Sequence, residues 1–309
     1  MPVPPVQNPD HLEVRATAPN WFRWAIGQPR TAHSVDVDGC AINYLLWQGA
    51  DAAANRRGIL LVHGGGAHAN WWTFIAPYFT RDFRVAAIDL SGMGDSDRRG
   101  NYTSELRARE MAAVIEAAKL GERPFVIGHS FGGFMTMKFA SSYGPALGGA
   151  VIVDSPIRSP EAEASDPRPP PPMGNKRVYP GFDEALARFR LMPAQPCDND
   201  YIVEFIARHS LKQVEGGWAW KFDPDALGSR RFGEPFREYL QAVRCRAALM
   251  FGENSKLVSR ATASYMSSLM GPQAPIVEIP EAEHHVMLDQ PIAFVAAVRM
   301  LLQSWVRAE

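Results

Sequence analysis

Pro124-Phe-Val-Ile-Gly-His-Ser-Phe-Gly-Gly133 is the stretch on which the fold turns. Residues 124–127 are a short apolar run, as expected for a strand buried on both faces. Residues 134–143 read as a helix. Between them lies Gly128-His129-Ser130-Phe131-Gly132, a G-x-S-x-G sequence. A sharp strand-to-helix turn at this pattern holds the Ser130 hydroxyl out above the sheet edge. The flanking glycines let the turn close without Cβ clashes, and the helix N-terminus beneath it favours developing negative charge. The competing reading is a glycine-rich turn with an incidental serine; a strand and a helix on the correct sides argue against it. A dinucleotide fingerprint fits less well, because no G-x-G-x-x-G follows the first buried strand.

The same rhythm continues on both sides. Gly58–Val62 and Arg84–Ile88 are further apolar runs, residues 103–120 read as a helix, and Gly149–Val153 is a fourth strand. Alternation of this kind predicts an α/β fold, a mostly parallel sheet flanked by helices. Upstream, residues 33–38 and 41–47 read as a strand pair around Asp38-Gly39, a hairpin signal. Residues 1–30 read as an irregular, Pro-containing arm. Its Trp21, Phe22 and Trp24 either pin it to the body or line a site entrance. The pattern breaks after Asp154. Arg168-Pro-Pro-Pro-Pro172 cannot sit in a central strand, and reads as a stiff entry to a lid. Residues 183–243 look helical and loop-like. Strands resume at 247–251 and 275–279, and a last helix covers 291–307. The expected organisation is therefore a core of residues 1–154 and 246–309, with a mainly helical lid at 155–245.

Four motifs in this order carry a resemblance. His63-Gly-Gly-Gly66 follows the first buried strand and Asp89-Leu-Ser-Gly-Met-Gly-Asp-Ser96 the second. Gly128-His-Ser-Phe-Gly-Gly133 follows the third, and Glu283-His-His-Val-Met-Leu-Asp-Gln-Pro291 lies near the C-terminus. Together they resemble the α/β-hydrolase superfamily, over residues 35–155 and 246–309. The resemblance implies the α/β-hydrolase fold and a serine nucleophile. It says much less about the reaction, because the superfamily hosts many chemistries.

A general base must follow the nucleophile in chain order for this fold. The resemblance selects His284, whose spacing to Pro291 matches the family; Glu283 stands where the family usually has glycine. His285 reads as a supporting or surface residue. His63 and His129 read as structural groups around the glycine loop, and His11, His33, His68 and His209 carry no comparable signal. The acid is where the sequence departs from pattern. The family usually supplies an aspartate in Gly-Glu-x-Asp, but this chain reads Gly252-Glu253-Asn254-Ser255. Serine cannot carry the charge that stabilises an imidazolium. Asp154, at the end of an earlier strand used for this purpose by some branches of the family, is favoured over Glu253. A Ser–His pair with weak acid support is the remaining reading.

Acyl transfer also needs fixed N–H donors, worth about 3–4 kcal/mol each when well placed. Phe131, directly after the nucleophile, and Gly65 or Gly66 in the loop after the first buried strand are the candidates. Asp89 and the loop after it read as structural. Trp71, Trp72, Met192 and Trp218 are the candidate substrate-binding residues, with Phe131, Phe134, Phe189, Leu191, Trp220 and Phe222 as further pocket or lid groups. Their aromatic character suits an apolar or aromatic substrate. The expected activity is hydrolysis of a carboxylic ester or lactone through an acyl-enzyme. The alternatives are C–C bond hydrolysis of a β-diketone or ring-cleavage product, and a non-catalytic ligand-binding protein on the same fold. An aspartate-nucleophile epoxide hydrolase or dehalogenase does not fit a serine elbow.

The bulk properties agree. The chain has 309 residues, 46% of them hydrophobic, enough for one large domain with an insertion or two small ones. Its 32 basic and 33 acidic residues leave a net charge of −1 with no long charged run, which gives no basis for capturing nucleic acid or an anionic membrane. Cys40, Cys197 and Cys245 are odd in number and widely spaced, so neither a disulfide framework nor a zinc cluster is expected. No metal and no organic cofactor is implied. Met1-Pro-Val-Pro-Pro5 lacks a basic, then apolar, leader, and no stretch reaches about 18 apolar residues. A cytoplasmic protein acting on a small molecule is expected, with homo-oligomerisation left open.

Overall fold

The computed structural model describes residues 17–48, 57–165, 177–227, 234–271 and 274–309. Its centre is an eight-stranded sheet. Two strands come first, β1 (Thr31–Val37) and β2 (Cys40–Trp47), then β3 (Gly58–Val62), β4 (Arg84–Ile88), β5 (Phe125–His129), β6 (Gly149–Val153), β9 (Ala247–Gly252) and β10 (Ile276–Ile279). The spatial order is β1-β2-β4-β3-β5-β6-β9-β10. Only β1–β2 and β2–β4 run antiparallel; every other neighbouring pair is parallel. Asp38 and Gly39 both take positive φ, 53° and 74°, which closes the β1–β2 hairpin in the twist-matched way.

Every residue of β3, β5, β6 and β9 is buried. That explains their continuous apolar runs: both sheet faces are covered, and no alternation survives. Helices α2 (Ser104–Ala117) and α3 (Phe131–Tyr143) cover one face with Leu60, Val62, Val126 and Ile152. Thr103 caps α2, its hydroxyl accepting the Leu106 N–H at 3.2 Å. The other face packs on α10 (Pro291–Arg307) and on the segment 69–79, whose two 3₁₀ turns carry Trp72 and Phe79, with Phe74 between them. The helix α8 (Arg260–Met270) flanks β9 and β10.

Three elements differ from the sequence reading. The N-terminal arm forms a helix, α1 (Asn20–Ile26), because Phe22, Ala25 and Ile26 make one apolar face. Phe22 packs among Phe74, Tyr201 and Phe205, and Trp24 lies on Tyr78, so the aromatic trio pins the arm. The described part of 155–245 holds the short helices α4 (Pro160–Ser165), α5 (Phe182–Leu186), α6 (Asp200–His209) and α7 (Phe236–Gln241). It also holds a hairpin, β7 (Leu211–Val214) with β8 (Gly217–Trp220), in a stretch whose sequence shows no strand alternation. Four-residue strands around a tight glycine turn are too short to show a period. Among the described residues this segment adds no strand to the main sheet. Arg168-Pro-Pro-Pro-Pro172 and His11 lie outside the described residues.

Candidate active site

The sheet itself brings the key groups together. His129 of β5 pairs with Val153 of β6, so the next residues, Ser130 and Asp154, leave the two strand ends side by side. Ser130 N–H donates to the Val153 carbonyl at 2.8 Å, and Asp154 N–H to the Met250 carbonyl at 2.8 Å. Ser130 takes φ 53° and ψ −117°, a strained conformation for a residue with a side chain, at the mouth of α3. The turn closes only because its neighbours are small. A Cβ at Gly128 would lie 2.3 Å from the Gly132 carbonyl oxygen, and one at Gly132 would lie 2.4 Å from that of Val62. The Ser155 hydroxyl clamps the elbow by donating to the Ser130 carbonyl at 2.7 Å.

His284 reaches Ser130 from the loop between β10 and a short helix, α9 (Val286–Asp289). Its Nε2 lies 3.0 Å from Ser130 Oγ and its Nδ1 2.8 Å from Asp154 Oδ1. The carboxylate fixes the tautomer: Nδ1–H donates to Asp154, which leaves Nε2 to accept from the serine hydroxyl. Asp154 is fully surrounded. Its Oδ2 accepts the Gly252 N–H at 3.1 Å, and its Oδ1 also accepts from Ser255 Oγ at 2.8 Å. Glu253, the alternative acid, points elsewhere: it is exposed, and its Oε2 accepts the Glu281 N–H at 3.0 Å. Glu283, where the family usually has glycine, turns its carboxylate toward Lys256 at 3.6 Å and away from the ring.

The other histidines serve the scaffold. His63 Nε2 accepts the Leu90 N–H at 3.1 Å, so its Nδ1 carries the proton and donates to the Gly64 carbonyl at 2.7 Å. Burial pushes its pKa down to about 4, which keeps it neutral in this role. His129 Nε2–H donates to the His284 carbonyl at 2.9 Å and so holds the loop; burial keeps this ring well below the usual histidine range too. His68 bonds Ser210 of the inserted segment at 2.8 Å and is likewise held neutral by burial. His285 is buried, not on the surface. Its ring lies 5.4 Å from that of Trp71 and 4.8 Å from that of His284.

The glycine loop lies against the Ser130 turn. A Cβ at Gly65 would lie 3.5 Å from Phe131 Cβ and 3.0 Å from Leu227 of the inserted segment, and Gly66 takes a positive φ of 69° near Phe222. Phe131 opens α3, its ring beneath the buried Arg107 guanidinium at 4.6 Å. Of the four expected substrate contacts, Trp71 lies beside the His285 ring. Met192 is 59% exposed, next to Pro193, whose backbone faces that ring. Trp72 is 0% exposed and lies in the core, its ring packed on Phe294. Trp218 meets Phe182 edge to face in a small cluster of its own with Tyr179 and Leu211.

Sequence reasoning missed Gln195. Its Oε1 accepts the His285 N–H at 3.0 Å, and its Nε2 donates to both Asp289 oxygens at 3.0 and 2.9 Å. Asn199 Nδ2 donates to the Leu288 carbonyl at 2.7 Å. The inserted segment thus clasps the loop that carries His284. Nothing in a proline-rich, polar stretch marks such a role in advance. As for metals, His129, His284 and His285 form the group of three potential ligands found among the described residues, each offering a ring nitrogen, and these nitrogens all lie within 4.8 Å of one another. No described helix is long and apolar enough to cross a membrane.

Known proteins share this arrangement of elements. An esterase of Mycobacterium tuberculosis is 26% identical over 276 residues, 87% of this chain and 88% of that protein. The crystal structure of E-2-(acetamidomethylene)succinate hydrolase superposes with a TM-score of 0.73 at 21% identity, covering 89% of this chain and all of the other. A crystal structure of the mycobacterial esterase superposes with a TM-score of 0.67 at 22% identity, covering 94% and 98%. The family model described as alpha/beta hydrolase matches residues 59–298, and with the sheet order and the serine elbow on β5 already in place, the chain belongs to the α/β-hydrolase family.

Proposed function

We propose that this chain is a serine hydrolase that cleaves a carboxylic ester or lactone through an acyl-enzyme. The observation that carries this reading is the continuous line Ser130 Oγ, His284, Asp154, with steps of 3.0 and 2.8 Å. Ser130 Oγ attacks the carbonyl carbon while His284 Nε2 takes its proton. The oxyanion that forms is met by the backbone N–H of Phe131 and by an N–H of Gly65 or Gly66. His284 then protonates the leaving alcohol oxygen, and the acyl group stays on Ser130. Water, deprotonated by the same nitrogen, attacks the acyl carbon, and Ser130 leaves with its proton restored. Asp154 stays ionised throughout and stabilises the imidazolium. The mycobacterial relative being an esterase supports the bond type. Leu227 and Phe222 near the glycine loop, and Trp71 beside the His285 ring, support an apolar acyl or alcohol part, and a small-molecule substrate. In this reading, residues 155–245 are the lid.

A fluorophosphonate probe and a chain-length panel of aryl esters, run beside a vinylogous diketone, test the reading. Wild type takes up the probe and turns over esters; Ser130→Ala does neither while staying folded, with turnover lower by several orders of magnitude. Probe uptake or near-normal turnover in folded Ser130→Ala refutes the mechanism. Diketone cleavage in place of ester cleavage moves the reaction to the C–C class.

A further inference from the structure

Ser255 stands where the family resemblance leads one to look for an acid, and its hydrogen bonds leave its hydroxyl proton one direction. Its Oγ accepts the N–H groups of Leu257 and Val258, both at 3.1 Å. With those donors on its lone pairs, the O–H points at Asp154 Oδ1, 2.8 Å away. This is the same oxygen that receives His284 Nδ1–H. Ser255 N–H closes a tight turn on the Gly252 carbonyl at 2.9 Å, and Gly252 N–H binds the other Asp154 oxygen. One short turn after β9 therefore grips both oxygens of a carboxylate that belongs to the end of β6.

We propose that Ser255 is a positioning residue for the reaction above: its hydroxyl orients Asp154 Oδ1 toward His284 and shares that oxygen's charge. The inference rests on the serine-hydrolase reading. It also accounts for the departure from Gly-Glu-x-Asp. An aspartate at 255 would set a second carboxylate within about 3 Å of Asp154, and two such charges cannot both stay ionised. With the acid supplied from β6, residue 255 is a donor to it.

The role has a signature that bulk stabilisation lacks. The titratable groups around the His284 ring are Asp154 from β6, His129 from β5 and His285 beside it, and burial keeps both histidines neutral. Asp154 is thus the charge His284 meets. Without the Ser255 hydroxyl, that carboxylate is more basic and stabilises the imidazolium more. The acid limb of kcat/KM then moves to higher pH, while the loosened carboxylate lowers the plateau.

The test is the pH profile of ester hydrolysis for wild type, Ser255→Ala and the shape-matched pair Ser255→Thr and Ser255→Val, with melting temperatures. Ser255→Ala and Ser255→Val should lose about tenfold in kcat/KM, the size of one hydrogen bond to a charged group, with the limb shifted upward. Ser255→Thr should keep the wild-type limb. An unmoved limb in folded Ser255→Val, or equal profiles for Thr and Val, overturns the proposal. Wild-type probe uptake that Ser130→Ala abolishes shows that the serine-hydrolase reading holds, so the two failures are told apart.

Discussion

Asp154 and Glu253 are both carboxylates near the ends of sheet strands, and only geometry separates them. Asp154 has a buried carboxylate with a ring nitrogen and a hydroxyl on one oxygen and a backbone N–H on the other. Glu253 is exposed and spends its carboxylate on a turn. Asp154→Asn leaves a group of the same shape that presents the wrong tautomer partner to His284. Its turnover number should fall on the order of 10⁴-fold, while Glu253→Gln should stay within a few fold of wild type. Steady-state kinetics on the two purified variants decide this; a larger loss in Glu253→Gln would reverse the assignment. At this scale the sequence is informative where chemistry imposes spacing. Ser130 lies in a pentapeptide set between a buried strand and a helix, and His284 lies at the spacing from Pro291 that the family resemblance leads one to expect. It is ambiguous for the acid, because Asp154 differs from other strand-end aspartates only through partners about 100 residues later.

Among the elements, the strands are legible in the sequence and the insertion is not. Strands β3, β5, β6 and β9 read as mostly apolar runs because both faces are covered, and each leads directly into a segment of the candidate site. The hairpin β7–β8 and the helices α4 and α5 have elements four to six residues long, too short for a period to emerge. The same holds for the strap 193–199. Its function is carried by Gln195 and Asn199, ordinary polar residues whose partners lie 89 to 94 positions later in the chain. Gln195 holds His285 N–H and Asp289, and Asp289 in turn accepts the Glu283 N–H at 2.8 Å. Both residues flanking His284 are thus tied to this strap. Gln195→Ala removes the acceptor for His285 N–H and the amide donor shared by the two Asp289 oxygens, and should lower kcat about tenfold with little change in KM. Kinetics and thermal melts on the variant check it: an unchanged kcat with a lower melting temperature would make the clasp purely structural.

For the molecule as a whole, four buried histidines make the fold sensitive to acid. His63, His68, His129 and His285 are all buried and all held neutral by burial, His63 with a pKa of about 4 against 6.5 for an exposed ring. A histidine depressed in the folded state binds its proton only on unfolding. Between the two values the unfolded chain therefore takes up more protons, and stability falls as the pH falls below about 6.5. His63 alone loses about 2 kcal/mol between pH 7 and pH 5 by this linkage. Asp89 acts in the opposite sense. Burial raises its pKa to about 6, despite the bonds it accepts from Ala69, Asp95 and Asn43, so protonation favours the folded state there. Its gain over the same interval is about 1 kcal/mol, less than the loss from one of the four histidines. The net expectation is a urea midpoint that drops steeply from pH 7 to pH 5. His63→Gln, which can still accept from Leu90 N–H, should flatten part of that slope even if it lowers the midpoint at pH 7. A midpoint independent of pH across this range would show that these rings are not kept neutral by the fold. Three of them contact the glycine loop or the His284 loop, through the Gly64 carbonyl, the His284 carbonyl and the His284 ring. These rings take up their protons as the chain unfolds, so acid loosens the scaffold of the proposed active site by drawing the fold toward the unfolded state, and the activity lost in this way should track the fall in the folded fraction.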